Sequence, residues 1–135
     1  MKYRGLIYMF FFVYLLASCF ANKVHANEYQ DSFIEPIKGC LNAPTKPSEA
    51  IVPEDLVIAQ AIIESNWGRS RFATEGNALF GVRTYDLSVP HMKPKDNSDV
   101  RWGVKRYKTQ CDSVNDYIFI ISNSHHYEEF RKLLL

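Results

Sequence analysis

Ala59-Gln60-Ala61-Ile62-Ile63-Glu64-Ser65-Asn66-Trp67-Gly68-Arg69-Ser70-Arg71-Phe72-Ala73 is the stretch on which the reading of this chain turns. An apolar helical segment ends on a carboxylate, and a Trp-Gly turn comes immediately after it. Taking a lone carboxylate out of water is costly unless it protonates or finds partners. Glu64, closing a buried helix, is therefore expected to have a raised pKa and to be suited to donating a proton. That is the profile of a general acid for glycosidic bonds.

Upstream, Pro53 suits a first helical position and Glu54 and Asp55 suit the positive end of the helix dipole. Leu56 to Ile63 are apolar on nearly every face, which predicts a central, buried helix. Leu56, Gln60 and Glu64 recur at every fourth residue, so Gln60 and Glu64 share a face and would line a cleft. Gly68 is a natural helix stop. Ser70 to Glu75 predicts a short helix capped by Ser70 and ended by Gly76, and Asn77 to Val82 would turn back toward the first helix. Between Arg83 and Lys108, Pro90 and Pro94 interrupt two short aromatic or β-branched runs, Val82-Tyr85 and Val100-Tyr107, which predicts a small β-hairpin lobe or flap. A further helix is expected over Asp112 to Asn123, with Ser113 and Asp116 as a weak capping box and Val114, Tyr117, Ile118 and Ile121 as its apolar face. His126 to Leu135 begins another helix. Pro36, Gly39, Pro44 and Pro47 make residues 27–52 an arm or linker with little regular structure and few core positions.

Two motif blocks carry a family resemblance. Glu64-Ser65-x-Trp67-Gly68-x-Ser70-x-Phe72-Ala73, continuing to Asn77-x-Leu79-Phe80-Gly81, resembles the catalytic core of bacterial β-N-acetylglucosaminidases that cleave peptidoglycan, most closely their Bax-like branch. Tyr107-Lys108-Thr109 and Asp112-Ser113-Val114 with Tyr117 are similar to that family's downstream elements, in order. The resemblance covers residues 53–135 and implies a mainly helical α+β, lysozyme-like domain with a small β-hairpin lobe over the cleft. The chain stops at Leu133-Leu134-Leu135 where the family continues with more helix, so the domain reads as truncated or minimal.

The resemblance also implies Glu64 as the acid. For the second carboxylate no residue matches a fixed motif. Asp86 and Asp99 are the foremost candidates, with Asp96 and Glu75 behind them, though Asp86 and Asp99 each read more simply as a solvated loop residue. The substrate's own 2-acetamido group is a further possibility. Trp67, Phe80, Tyr107 and Trp102 are sugar-facing aromatics in this reading, because a pyranose C–H face packs on a π surface; Trp102 reads also as a packing anchor. By resemblance Thr109 and Asn77 lie near the sugar, Asn77 with a turn-bonding role as its alternative, and Gln60 shares the cleft face with Glu64. The expected activity is hydrolysis of β-1,4 bonds at N-acetylglucosamine, the glycan strand is the partner, and a monomer without cofactor is expected. A lytic transglycosylase and a non-catalytic peptidoglycan-binding relative are the rival readings.

Charge and the N-terminus bound the rest. The 135 residues make at most one domain. Sixteen basic and fifteen acidic side chains leave a net charge of +1, which argues against a nucleic-acid footprint. His125-His126 has no third ligand at useful spacing, which argues against zinc. Lys93, Lys95, Arg101, Lys105, Arg106 and Lys108 form a loose basic stretch, most simply a solvated face, which would also favour peptide-stem carboxylates or other anionic wall polymer. After the basic start Lys2-Tyr3-Arg4, the apolar run Gly5 to Leu16 is too short to span a bilayer and suits a signal peptide over residues 1–26. Leu16-Ala17-Ser18-Cys19 resembles a lipobox, with a lipoprotein signal over 1–18 and Cys19 lipidated; Val24-His25-Ala26 is a competing cleavage site. Export to the periplasm or envelope, with or without a lipid anchor, is the expectation. Cys40 and Cys111 then remain as an even pair, either a disulfide across about 70 residues or two buried thiols.

Overall fold

The computed structural model describes residues 28–43, 52–96 and 99–134. The processing sites at Cys19 and Ala26 lie outside the described residues. The chain divides into two units, Met1–Ser32 and Phe33–Leu135. In the first, residues 28–32 are helical and exposed; the packing described below lies within the second.

Residues 28–41 are helical (α1), and from this helix Phe33, Ile37, Cys40 and Leu41 enter the core. Over residues 28–41 this corrects the expectation of an irregular arm; residues 44–51 of that arm lie outside the described residues. Pro36 inside a helix costs roughly 3 kcal/mol, and taken alone that penalty argues for an arm. The spacing of Phe33, Ile37 and Leu41, however, makes one continuous apolar stripe, and each buried side chain contributes roughly 1.5–3 kcal/mol. Burial outweighs the proline.

Helix α2 spans Glu54–Ser65 and buries Val57, Ile58, Ala61 and Ser65. It is not buried all round: Ile63 is 72% exposed, so only one stripe of the apolar run meets the core. Helix α3, Arg71–Gly76, starts on Ser70, whose side chain accepts from the Ala73 amide, and ends on Asn77 in the left-handed region. Strands β1 (Arg83–Thr84), β2 (His91–Met92) and β3 (Gly103–Lys105) form an antiparallel sheet in the order β1-β3-β2. Arg83 pairs with Val104, and Met92 pairs with Val104 from the other side. The expected hairpin therefore has a third strand, concealed in the sequence by the prolines at 90 and 94 that bracket it.

Helix α4, Gln110–Asn123, buries Val114, Ile118 and Ile121 along the expected face. Its capping box is formed by Thr109 and Asp112 rather than by Ser113 and Asp116. Ser113 is instead fully buried, and its hydroxyl accepts from the Leu79 amide at 3.1 Å, which ties the Asn77–Gly81 turn to α4. A 3-10 turn, His125–Tyr127, leads into α5, Glu128–Leu133. Cys40 and Cys111 form a disulfide joining α1 to α4, 71 residues apart. On the loop-entropy model such a link is worth about 4 kcal/mol. Among the described residues no helix is long and apolar enough to cross a membrane.

Candidate functional site

Glu64 stands on the last turn of α2, and the backbone beyond it is unusual. Asn66, Trp67 and Gly68 have φ of 51°, 58° and 73° in succession. Two of the three carry side chains, which adopt this left-handed region at a cost of roughly 1–2 kcal/mol each. Ser65 holds the turn. Its buried hydroxyl donates to the Ala61 carbonyl at 2.5 Å and accepts from the Gly68 amide at 2.7 Å, while its own carbonyl accepts from Ser70 at 2.9 Å. Trp67 donates from its backbone to Ile62 at 3.0 Å. At Gly68 a Cβ would lie 2.8 Å from the Phe33 ring. The Glu-Ser-Asn-Trp-Gly sequence thus makes a rigid left-handed exit that fixes the direction of the chain beyond Glu64.

Glu64 itself is exposed. The burial expected of it is not supplied by the free protein, because α2 turns this edge, with Ile63, toward solvent. Gln60, one helical turn earlier, is half-buried. The carboxylate acts on its surroundings nonetheless: burial pushes the Tyr117 phenol up from its usual range, and Tyr127 and the Glu64 charge push it further. The Tyr117 ring stacks on Phe80 at 4.1 Å between centroids and 11° between planes. Phe80 is buried, so it supports Tyr117 rather than offering a free face of its own. Tyr117 belongs to the second motif block and to the predicted apolar face of this helix, which is the signal in the sequence for its packing on Phe80.

Trp67 is half-buried and meets Phe33 edge-on, centroids 6.0 Å apart. Asn77 caps α3, and its side-chain amide donates to the carbonyls of Tyr107 and Lys108 at 3.1 and 3.0 Å. Thr109 is the N-cap of α4, its hydroxyl accepting from Asp112 at 3.1 Å. Trp102 packs beneath the Arg83 guanidinium, 4.3 Å from the ring centroid, in keeping with the packing-anchor alternative.

Among the carboxylates, Asp86 is exposed and accepts from the Ser88 hydroxyl and amide, which hold its carboxyl below the usual range. It stays ionised but is engaged in a turn. Asp99 and Asp96 are exposed. Glu75 pairs with Arg71 at 3.6 Å. One further carboxylate escapes sequence reasoning. Asp116, which the sequence offers only as part of a weak cap, accepts from the Tyr107 hydroxyl at 2.6 Å and from Lys105 at 2.9 Å. Burial, then the bond to Asp116, push the Tyr107 phenol far above its usual range. Among the described residues no group of three or more His, Cys, Asp or Glu is placed to hold a metal.

Residues 45–134 match a family model described as mannosyl-glycoprotein endo-beta-N-acetylglucosaminidase. The chain is 25% identical over 153 aligned residues to the exo-glucosaminidase LytG of Bacillus subtilis (strain 168), across 98% of this chain and 54% of that protein. Over 48 residues it is 40% identical to a "Putative endo-beta-N-acetylglucosaminidase" of Streptococcus pneumoniae serotype 4, covering 36% of this chain and 7% of that one. The chain thus spans about half the length of the first relative and a small part of the second. No solved structure gives a significant match.

Proposed function

Because this chain belongs to the mannosyl-glycoprotein endo-beta-N-acetylglucosaminidase family, we propose that it hydrolyses β-1,4 glycosidic bonds at N-acetylglucosamine in peptidoglycan, with Glu64 as the general acid. The observation that carries this reading is the place of Glu64 on the last turn of α2, directly before the left-handed exit that Ser65 and Gly68 hold. A carboxyl group that must protonate a leaving oxygen needs a place on a rigid element within reach of that oxygen, which the last turn of α2 supplies. A bound glycan would itself exclude water from Glu64.

In this mechanism Glu64 gives its proton to the glycosidic oxygen as the bond to the anomeric carbon breaks. The positive charge that develops on the sugar is met by an ionised carboxylate, for which Asp86 and Asp99 remain the proposals, or by the 2-acetamido group. Water then completes the hydrolysis. Gln60 and Trp67 flank Glu64 in sequence and would meet the sugar beside it, while Asn77 holds the Tyr107 segment and Thr109 caps α4. The same reading puts the chain in the envelope, exported through residues 1–26 or anchored through Cys19.

The test is digestion of purified peptidoglycan by the chain and by Glu64→Gln, with mass spectrometry of the borohydride-reduced fragments. Reduced N-acetylglucosamine ends are expected, and in Glu64→Gln they should fall by at least about a hundredfold, since general acid catalysis contributes on that scale. Fragments from strand interiors indicate endo cleavage and fragments released stepwise from strand ends indicate exo cleavage, the activity named for LytG. Anhydro-muramyl ends would replace hydrolysis with transglycosylation. Undiminished cleavage by Glu64→Gln would remove that residue from the mechanism.

A further inference from the structure

Two adjoining concavities lie where the chain leaves β3. One, of about 380 Å³, is lined by Glu75, Asn77, Pro90, Arg106, Tyr107 and Lys108. The other, of about 270 Å³, shares Pro90, Arg106 and Tyr107 and adds Lys105 and Asp116 among its walls. The backbone between them is pinned from both sides. Arg106 donates to the Pro90 carbonyl at 2.9 Å, Tyr107 donates to the Gly76 carbonyl at 2.9 Å, and the Asn77 amide bonds the carbonyls of Tyr107 and Lys108.

The charges on this surface are unequally matched. Lys105 is paired with Asp116, and Glu75 with Arg71. Among the described residues no carboxylate pairs with Arg106 or Lys108. Two cations on a pre-organised segment therefore face open concavities without internal compensation, so an anion placed there displaces no existing partner. An arginine fork matches a carboxylate in shape as well as charge.

N-acetylglucosamine is neutral. In stem-bearing glycan the lactyl carboxyl of N-acetylmuramic acid is consumed in the amide to the peptide, so the carboxylates there belong to the peptide stems. Stem-free N-acetylmuramic acid keeps a single lactyl carboxylate close to the sugar ring. Resting on the function proposed above, the geometry points to Arg106 and Lys108 as a subsite for the carboxylates of the peptide stem, so that the enzyme distinguishes stem-bearing from stem-free glycan. Neither cation takes part in bond cleavage.

The test measures binding rather than turnover. The full chain carrying Glu64→Gln is titrated calorimetrically with a GlcNAc-MurNAc disaccharide bearing a tetrapeptide and with the same disaccharide free of peptide, its lactyl carboxyl capped as the primary amide so that it carries no anion. Two solvated ion pairs predict a preference of about five- to tenfold for the peptide-bearing form, shrinking as salt is raised. Adding Arg106→Gln and Lys108→Gln should abolish that preference and leave affinity for the peptide-free disaccharide unchanged. Thermal melting of the variant checks that these exposed changes leave the fold intact. Equal affinity of the parent for both disaccharides overturns the subsite alone. Parallel loss of both ligands in the charge variant also overturns it. Binding of neither ligand by the parent overturns the cell-wall reading and the subsite together.

Discussion

At the end of α2 the backbone does the positioning, whereas between β3 and α4 the side chains do. The chain beyond Glu64 is aimed by three consecutive left-handed residues that one buried serine hydroxyl and one close glycine–phenylalanine approach hold in place. Tyr107 is aimed by a charge network, Lys105 and the phenol converging on a single Asp116 oxygen. The first arrangement leaves little freedom of shape: small residues occupy the points where nothing larger fits. The second tolerates changes of shape but not of charge. The two regions should therefore fail in different ways when altered.

Gly68→Ala tests the first region most severely. The new methyl meets both an unfavourable φ of 73° and the Phe33 ring at 2.8 Å. Left-handed strain of about 1 kcal/mol and overpacking of about 1–3 kcal/mol give an expected loss of about 3 kcal/mol in urea unfolding. Cleavage should suffer as well, since the exit from α2 must shift. A neutral result would mean that Phe33 moves aside at no cost, and the claim of a rigid exit would fall.

Asp116→Asn sharpens the other half of the comparison. It keeps the shape and a hydrogen-bond acceptor for Tyr107 but removes the charge that pairs with Lys105. Both ion-pair partners are partly buried, at 32% and 21% side-chain exposure, so a loss of about 1–2 kcal/mol is expected in the same assay. Lys105→Met in the Asn background should then cost little more, because the two positions share one interaction. Additive losses would show that Asp116 and Lys105 act independently.

The contrast also explains which parts of the molecule are legible in the chain. The α2 end is legible because its instructions are local: Glu64, Ser65, Trp67, Gly68 and Ser70 act on neighbours within a few residues, and Gly68 and Ser70 are ordinary stop and cap signals. Helix α1 is illegible for the opposite reason. Pro36 and Gly39 are local signals against a helix, and only the distant partners of Phe33, Ile37 and Cys40, including a disulfide 71 residues away, make the helix worthwhile. Asp116 is hidden because its partners, Lys105 and Tyr107, approach through the fold of the sheet onto α4. The burial expected for Glu64 fails for a related reason: an apolar run in sequence does not reveal which of its faces the rest of the chain covers, and Ile63 and Glu64 lie on the uncovered one.

The smallest effect predicted is the most specific, and it concerns pH. Burial and the bond to Asp116 raise the Tyr107 phenol above its unfolded value of about 10. A raised group stabilises the fold fully below its unfolded pKa, because both states then carry the proton and only the folded one gains the hydrogen bond. As pH climbs past about 10 the unfolded chain releases that proton first, so stability declines with pH. Tyr107→Phe removes both the bond and the titration. At neutral pH it should cost about 1 kcal/mol, and above about pH 10 the gap between variant and parent should narrow, read as converging urea midpoints. If the gap stays constant, or widens, the phenol is not held neutral by Asp116, and the β3–α4 junction must be held by packing after all, which would erase the distinction between the two regions.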